Sequence, residues 1–434
     1  FINPVIDYYR SFGMEALNKN VTIDLFCVNK NTVDLANLLP MCQVTGGEII
    51  IAPSFDTFSY QNKEWLAKNL KIYIARELRL SNLIKIRMNE AFEVQSYFGN
   101  FFVTSIKKLT IPTINQYTTL AFELHLEYDP PKEFPYMCFQ LSVLSTCANG
   151  DNRLRVITIS LSLSDYFASI FSSINFPCVF SLIARMAVER SFQHSIADTK
   201  SAIVHALIDM LKSYQKFYPN SFSHTSFIIP PPVYQLSIVL YSLTKYDAFS
   251  LVRKIKIDKR IQKMVSLRTW PIDFTMIVLY PVLYNLSDIL PYVSLNDPYF
   301  LANHRCFSIP SSCECIYPGK IYILDSGFDV YIYVKSETPN QMINSLIGVD
   351  TYEAMPDAII SLPIISTEMN KFVHQFIELI TDNRLYKPNV IIFKESCDAI
   401  KQKFSTLLVL DQTDKSGSYK AWIKTIRTKL LGVI

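Results

Sequence analysis

Lys85 and Arg87 stand two residues apart in "IKIRMNEAF", interleaved with Ile84, Ile86 and Met88. In a strand, this spacing sends the apolar trio to one face and Lys85, Arg87 and Asn89 to the other. An ammonium and a guanidinium side by side can make charge-assisted hydrogen bonds to carboxylates or phosphates, which is recognition rather than bond breaking. A solvated strand face is the plainer use of the same pattern.

Other constellations offer less. His304, Cys306, Cys313 and Cys315 fall within "HRCFSIPSSCEC". Structural zinc prefers paired thiolates at CxxC spacing; here the pair is CxC and Pro310 stiffens the segment, so the reading is reduced thiols at a domain boundary. His125, His194, His205, His224, His304 and His374 accompany no strained serine elbow or reactive cysteine motif. The acidic run Asp325, Asp329, Glu337, Asp350 and Glu353 lacks calcium-loop spacing and reads as a solvated face. A basic stretch, "LVRKIKIDKRIQKMVSLR", contains Arg253, Lys254, Lys256, Lys259 and Arg260. Such a cluster attracts anionic lipid headgroups at about 1 kcal/mol per basic residue, and a solvated helix face is the alternative. "KAWIKTIRTK" is a second, shorter cluster.

Composition narrows the classes. At 434 residues the chain has room for about three domains. With 50% hydrophobic and 18% charged residues, several cores can be buried. A net charge of +4 and the lack of an RNP-type stacking motif argue against nucleic acid as a partner. There are 10 glycines and one adjacent pair, Gly46-Gly47, so no glycine-rich phosphate cradle exists. That disfavours a nucleotide-dependent enzyme. Nine scattered cysteines, an odd number, suit reduced thiols in the cytosol. The most membrane-like window, "FASIFSSINFPCVFSLIARMAV", is broken by Asn175, Pro177 and Arg185.

The elements that must position these residues follow from periodicity. "VTIDLFCV" and "GGEIIIA" read as strands, "TVDLANLL" and "NKEWLAKNLKIYIARELRL" as helices, which is an α/β layer with a parallel sheet. From residue 83 the period becomes two: "FEVQSYF", "FELHLEY", "YMCFQLSVLST" and "LRVITISLSL" predict an antiparallel β-sandwich. From 179 the period is helical. "KIYILDSGFDVYIYVK", "NQMINSLIG" with a C-cap at Gly348, "KFVHQFIELITDN" and "NVIIFK" then predict a β-turn-β-α-α-β module of α+β type, and "SYKAWIKTIRTKLL" a last helix. The expected domains are 1–82 (α/β), 83–178 (β-sandwich), 179–288 (all-α) and 289–434 (α+β).

These stretches, in this order, resemble the Sec24-type cargo adaptor of the COPII vesicle coat, in the Sec23/Sec24 superfamily. "YYRSFGMEALNKNVTIDLFCVNKNTVDLANL" followed by "TGG" resembles the end of that family's vWA-like trunk. "IKIRMNEAFEVQSYFGNFFVTS" and "NRLRVITISL" resemble its β-sandwich, and "LIARMAVERSFQHSIADTKSAIVHALIDMLKSY" its helical domain. "IYILDSGFDVYIYVK", "LIGVDTYEAMP" and "SGSYKAWIKTI" resemble its gelsolin-like domain.

The resemblance implies a partial trunk, a β-sandwich, a helical domain and a gelsolin-like domain with no catalytic activity. It implies selection of cargo by short, often acidic, export signals during endoplasmic-reticulum-to-Golgi transport. The implied place is the cytoplasm, peripheral on the anionic endoplasmic-reticulum membrane and on COPII vesicles. Implied partners are the sister inner-coat subunit, the coat small GTPase assembly, outer-coat subunits, and the tails of cargo and SNARE proteins. The family's Arg-x-Arg strand, which receives acidic signals, maps onto Lys85 and Arg87. Lys85 replaces a planar fork with a point charge, which weakens bidentate carboxylate recognition there. No cofactor is implied for this segment; the family's zinc finger would lie upstream of residue 1, making the chain the C-terminal part of a longer protein. The sister subunit, which activates the small GTPase, is the alternative, and a gelsolin relative binding actin or phosphoinositide is a third reading.

Overall fold

Short β-branched runs separated by helical ones open the chain, and they build a small parallel layer. β1 (Leu25–Asn29) pairs in parallel with β2 (Ile49–Pro53), and α2 (Leu35–Thr45) connects them, with α1 (Tyr8–Asn18) before and α3 (Tyr60–Ile74) after. The computed structural model describes residues 4–29, 31, 33–53, 58–129, 135–221, 227–251, 255–290, 300, 303–413 and 417–431. Two units divide the chain, Phe1–Ile272 and Asp273–Ile434.

Two helix readings change at their ends. α2 runs through Pro40 to Thr45, longer than "TVDLANLL" suggests. α3 stops at Ile74 although the helical pattern continues to Leu80. Arg79 and Leu80 instead open the next strand, whose pairing with Ile114 and Cys147 outweighs the helical period, and the buried guanidinium of Arg76 lies 2.8 Å from both Glu48 oxygens.

The sandwich follows. A five-stranded antiparallel sheet has the order β5-β6-β3-β8-β9, from β3 (Arg79–Met88), β5 (Phe102–Ser105), β6 (Lys108–Ile114), β8 (Tyr136–Cys147) and β9 (Asn152–Ser162). A second sheet contains β4 (Phe92–Phe98) and β7 (Ala121–Leu126). Ile84, Leu109 and Ile111 form the buried centre between the sheets, with Tyr97, Phe101 and Phe122 packed against them. Every residue of β9 is exposed.

Helices complete the first unit: α4 (Phe167–Ser172), α5 (Phe176–Gln193), α6 (Ile196–Phe217), α7 (Pro231–Lys245) and α8 (Ile257–Thr269). Phe180, Ala184 and Val188 of α5, Leu207 and Leu211 of α6, and Leu236 and Leu240 of α7 are fully buried, at the helical spacing read from the sequence.

In the second unit α9 (Ile272–Leu279) leads into a six-stranded sheet of order β11-β10-β12-β13-β15-β14. Its strands are β10 (Val282–Asn285), β11 (Ser308–Ile309), β12 (Ile321–Asp325), β13 (Asp329–Val334), β14 (Ala358–Ile359) and β15 (Asn389–Lys394). After β10 comes the short α10 (Leu286–Ile289). Against one face lie α11 (Asn340–Ile347), ended by Gly348 at φ 73°, and α12 (Glu368–Thr381). On the other face Phe404 of α13 (Asp398–Leu407) joins Tyr322, Tyr331 and Phe393. The last helix is α14 (Tyr419–Leu430).

Three expectations need correction here. β10 pairs with β12 inside this sheet, so the boundary expected at 288/289 cuts through the second unit, whose first residue is Asp273. Helix α13 was not anticipated. Asp325 is no part of a solvated face: it is buried and takes both Nη atoms of Arg384.

Candidate basic site on the sandwich

A β-bulge between Leu80 and Leu83 sets the phase of β3. Asn82 turns inward there, 1% exposed, and its Nδ2 donates to the carbonyl oxygens of Arg79 at 2.8 Å and Ile111 at 3.1 Å. Bulges re-aim the side chains that follow them. Downstream the alternation is regular: Ile84 and Ile86 are buried while Lys85 and Arg87 are exposed. Neither cation has an ion pair or side-chain hydrogen bond among the described residues.

Strand register adds neighbours that the sequence reading did not select. Lys85 lies directly opposite Lys108 on β6 and Ser142 on β8; Arg87 lies opposite Gln140. Facing partners in an antiparallel pair share a face, so Lys108 stands beside Lys85. Lys107, in the β5–β6 turn, is exposed, and its carbonyl accepts from the Ile86 N–H at 2.9 Å. An open pocket of about 300 Å³ is lined by Leu83, Lys85, Ser105, Lys107 and Lys108. The "IKK" of the tight β5–β6 hairpin was the available signal, but its register against β3 is not written locally.

The sandwich is joined to the rest of the first unit through the turn after β4. Asn100, in the "GNFF" turn after β4, donates from Nδ2 to the Gly47 carbonyl at 2.8 Å. The Gly99 carbonyl accepts from Arg268 Nε of α8 at 3.1 Å, and Arg268 Nη1 is 2.9 Å from Glu189 of α5. Asp258 of α8 accepts from the Val33 and Leu35 N–H groups at 2.6 and 3.3 Å, capping α2 from a distance. Buried Arg185 donates to the Arg268 carbonyl at 3.0 Å, and burial pulls its guanidinium down to about 10.

The basic helix patch does not gather into a second such site. Arg253 and Lys254 lie outside the described residues. Lys256 is the exposed N-cap of α8, and Lys259 is paired with Asp247 at 2.7 Å. The guanidinium of Arg260 donates to the Ala248 and Ser250 carbonyls, both at 2.9 Å, an anchoring role for a side chain read as facing a membrane. Among the described residues no group of three or more His, Cys, Asp or Glu side chains is arranged to hold a metal ion, and no helix is long and apolar enough to cross a membrane.

This series of modules defines a class. Family models for the Sec23/Sec24 trunk, β-sandwich and helical domains match residues 1–74, 80–164 and 175–277, and a gelsolin repeat matches 308–377. The chain belongs to the Sec23/Sec24 family, with homologues on its Sec24 side. Protein transport protein Sec24B of Homo sapiens is 26% identical over 99% of this chain and 34% of its own length. Sec24A of Mus musculus is 24% identical, over 99% and 39%, and sec24 of Aspergillus niger 24% identical, over 98% and 47%. The crystal structure of the human COPII-coat protein Sec24c has the same fold, with a TM-score of 0.86 at 18% identity, covering all of this chain and 54% of that one. The chain thus spans about a third to a half of the length of these curated relatives.

Proposed function

We propose that this chain is part of a COPII coat adaptor that selects cargo by binding acidic export signals at Lys85 and Arg87. The observation that carries this reading is a pair of exposed cations on a central strand, with no carboxylate partner among the described residues. Relatives named as Sec24 transport proteins support the adaptor over the sister subunit that activates the GTPase. The mechanism is recognition without catalysis: charge-assisted contacts of about 1.5–3 kcal/mol each, multiplied by many copies on one coat. The sister inner-coat subunit, the small GTPase, outer-coat subunits and SNARE or cargo tails are the partners of this reading. Its setting is the cytoplasmic surface of the endoplasmic reticulum and of COPII vesicles. Of the helix patch, Lys256 keeps the best-placed charge for lipid.

Fluorescence anisotropy with a labelled acidic export peptide tests the site. Arg87→Glu should weaken binding by at least about tenfold, the equivalent of one lost charged contact. The circular dichroism spectrum should not change, because the side chain stands on the solvent face. Unchanged affinity would remove the assignment.

A further inference from the structure

We infer that the pocket between Lys85, Lys107 and Lys108 takes a phosphate monoester carried by an extended peptide, while Arg87 holds an acidic side chain two residues away. This deepens the peptide-binding reading above and rests on it.

Three lysines line one pocket of about 300 Å³, and none of them has a carboxylate partner among the described residues. Lys85 and Lys108 face each other across the β3–β6 pair, an arrangement of like charges that destabilises a sheet unless an anion sits between them. A carboxylate brings one charge and two oxygens. A phosphoserine brings a charge of about −1.5 to −2 and three acceptor oxygens, closer to what three lysines and the Ser105 hydroxyl can satisfy. Lysine ammoniums are point charges with rotatable donors, whereas the planar fork of Arg87 suits a carboxylate. The two kinds of cation therefore sort two kinds of anion. Lys85 and Arg87 are about 6.7 Å apart along β3, and alternate residues of an extended ligand repeat at the same distance. The recognised pattern is phosphoserine and Asp or Glu separated by one residue.

The test uses the 434-residue chain and a fluorescein-labelled peptide with a Glu-Ala-Ser-Ala-Glu core, unmodified, phosphorylated on serine, or with glutamate in place of the serine. The phosphorylated form should bind about tenfold more tightly than either other form. Replacing both pocket lysines (Lys107→Gln with Lys108→Gln) should erase that gain, so that the phosphorylated and glutamate forms bind the double variant within about twofold of each other, while Arg87→Gln weakens all three forms. Both lysines are exposed, and an unchanged circular dichroism spectrum separates loss of binding from loss of fold. Equal affinity for the phosphoserine and glutamate forms overturns the inference and leaves the acidic-signal reading standing. A gain that survives the double substitution overturns it too, as does displacement of the peptide by phosphoinositide vesicles but not by inorganic phosphate. No binding by any form overturns both readings.

Discussion

Asn100 shows how little a residue's type can say about its task. In "GNFF" it reads as a turn former, yet its amide reaches the Gly47 carbonyl and ties the sandwich to the α/β layer. Gly47 has its own constraint: a Cβ there would lie 1.8 Å from the Ile23 carbonyl oxygen, so no larger residue fits. Asn100→Ala leaves that carbonyl without its partner, and we expect a loss of about 1–3 kcal/mol, read as a lower melting temperature of the first unit. An unchanged melting curve would mean the contact carries no weight. Of the candidate basic site, Lys85 and Arg87 were legible because strand alternation is a local code, and their exposure follows it. Lys107 and Lys108 were not, since facing residues across strands are set by register, bulge and hairpin together. Arg260 misled for a related reason. A cation in a basic run looks solvated until two backbone carbonyls, supplied by residues before the helix, claim its guanidinium.

Elements were read well where they are long and periodic and poorly where they are short. β12, β13, α11 and α12 have sustained patterns and lie where the sequence puts them. The four residues of β10 follow Pro281 and are too few to show a period, so their sheet was assigned a later start. Helix α13 buries Phe404 alone among its residues, a stripe too thin to stand out. Next to it, Glu395 follows β15 and receives Lys335, which follows β13, with Lys401 at 3.4 Å. Hydrogen bonding from Lys335, above all, holds the Glu395 carboxyl at about 2, below its ordinary 4.5. A carboxyl lowered in this way stabilises the folded state fully above pH 4.5, and the contribution disappears as pH falls towards 2. Thermal melts of Glu395→Gln should therefore fall below those of the native chain at pH 5 to 6, and the gap should close on acidification. A gap independent of pH would show that the ion pair does not link these strands.

At the scale of the whole molecule, the module order was the clearest signal, because changes of period from mixed to two to 3.6 persist over tens of residues. What no local pattern announces is that the two-stranded sheet covers only part of its five-stranded partner. Ile157, Ile159 and Leu161, on the inward-facing side of β9, are 43%, 53% and 54% exposed, and β9 pairs with β8 alone. Arg153 and Arg155 guard the first half of that edge, as charges on edge strands do, but the second half has none. The isolated chain should self-associate with rising concentration in sedimentation velocity, and Ile159→Lys should suppress it. A concentration-independent monomer would refute this. The basic site has the opposite character. β3 is hydrogen-bonded on both sides, to β6 and β8, so the backbone that carries its cations cannot travel to meet a guest. Nearly all the backbone entropy lost on docking then falls on the incoming tail, and discrimination depends in part on how stiff that tail already is. Sequences made straight by proline beside the acidic residue should out-compete floppier ones of equal charge.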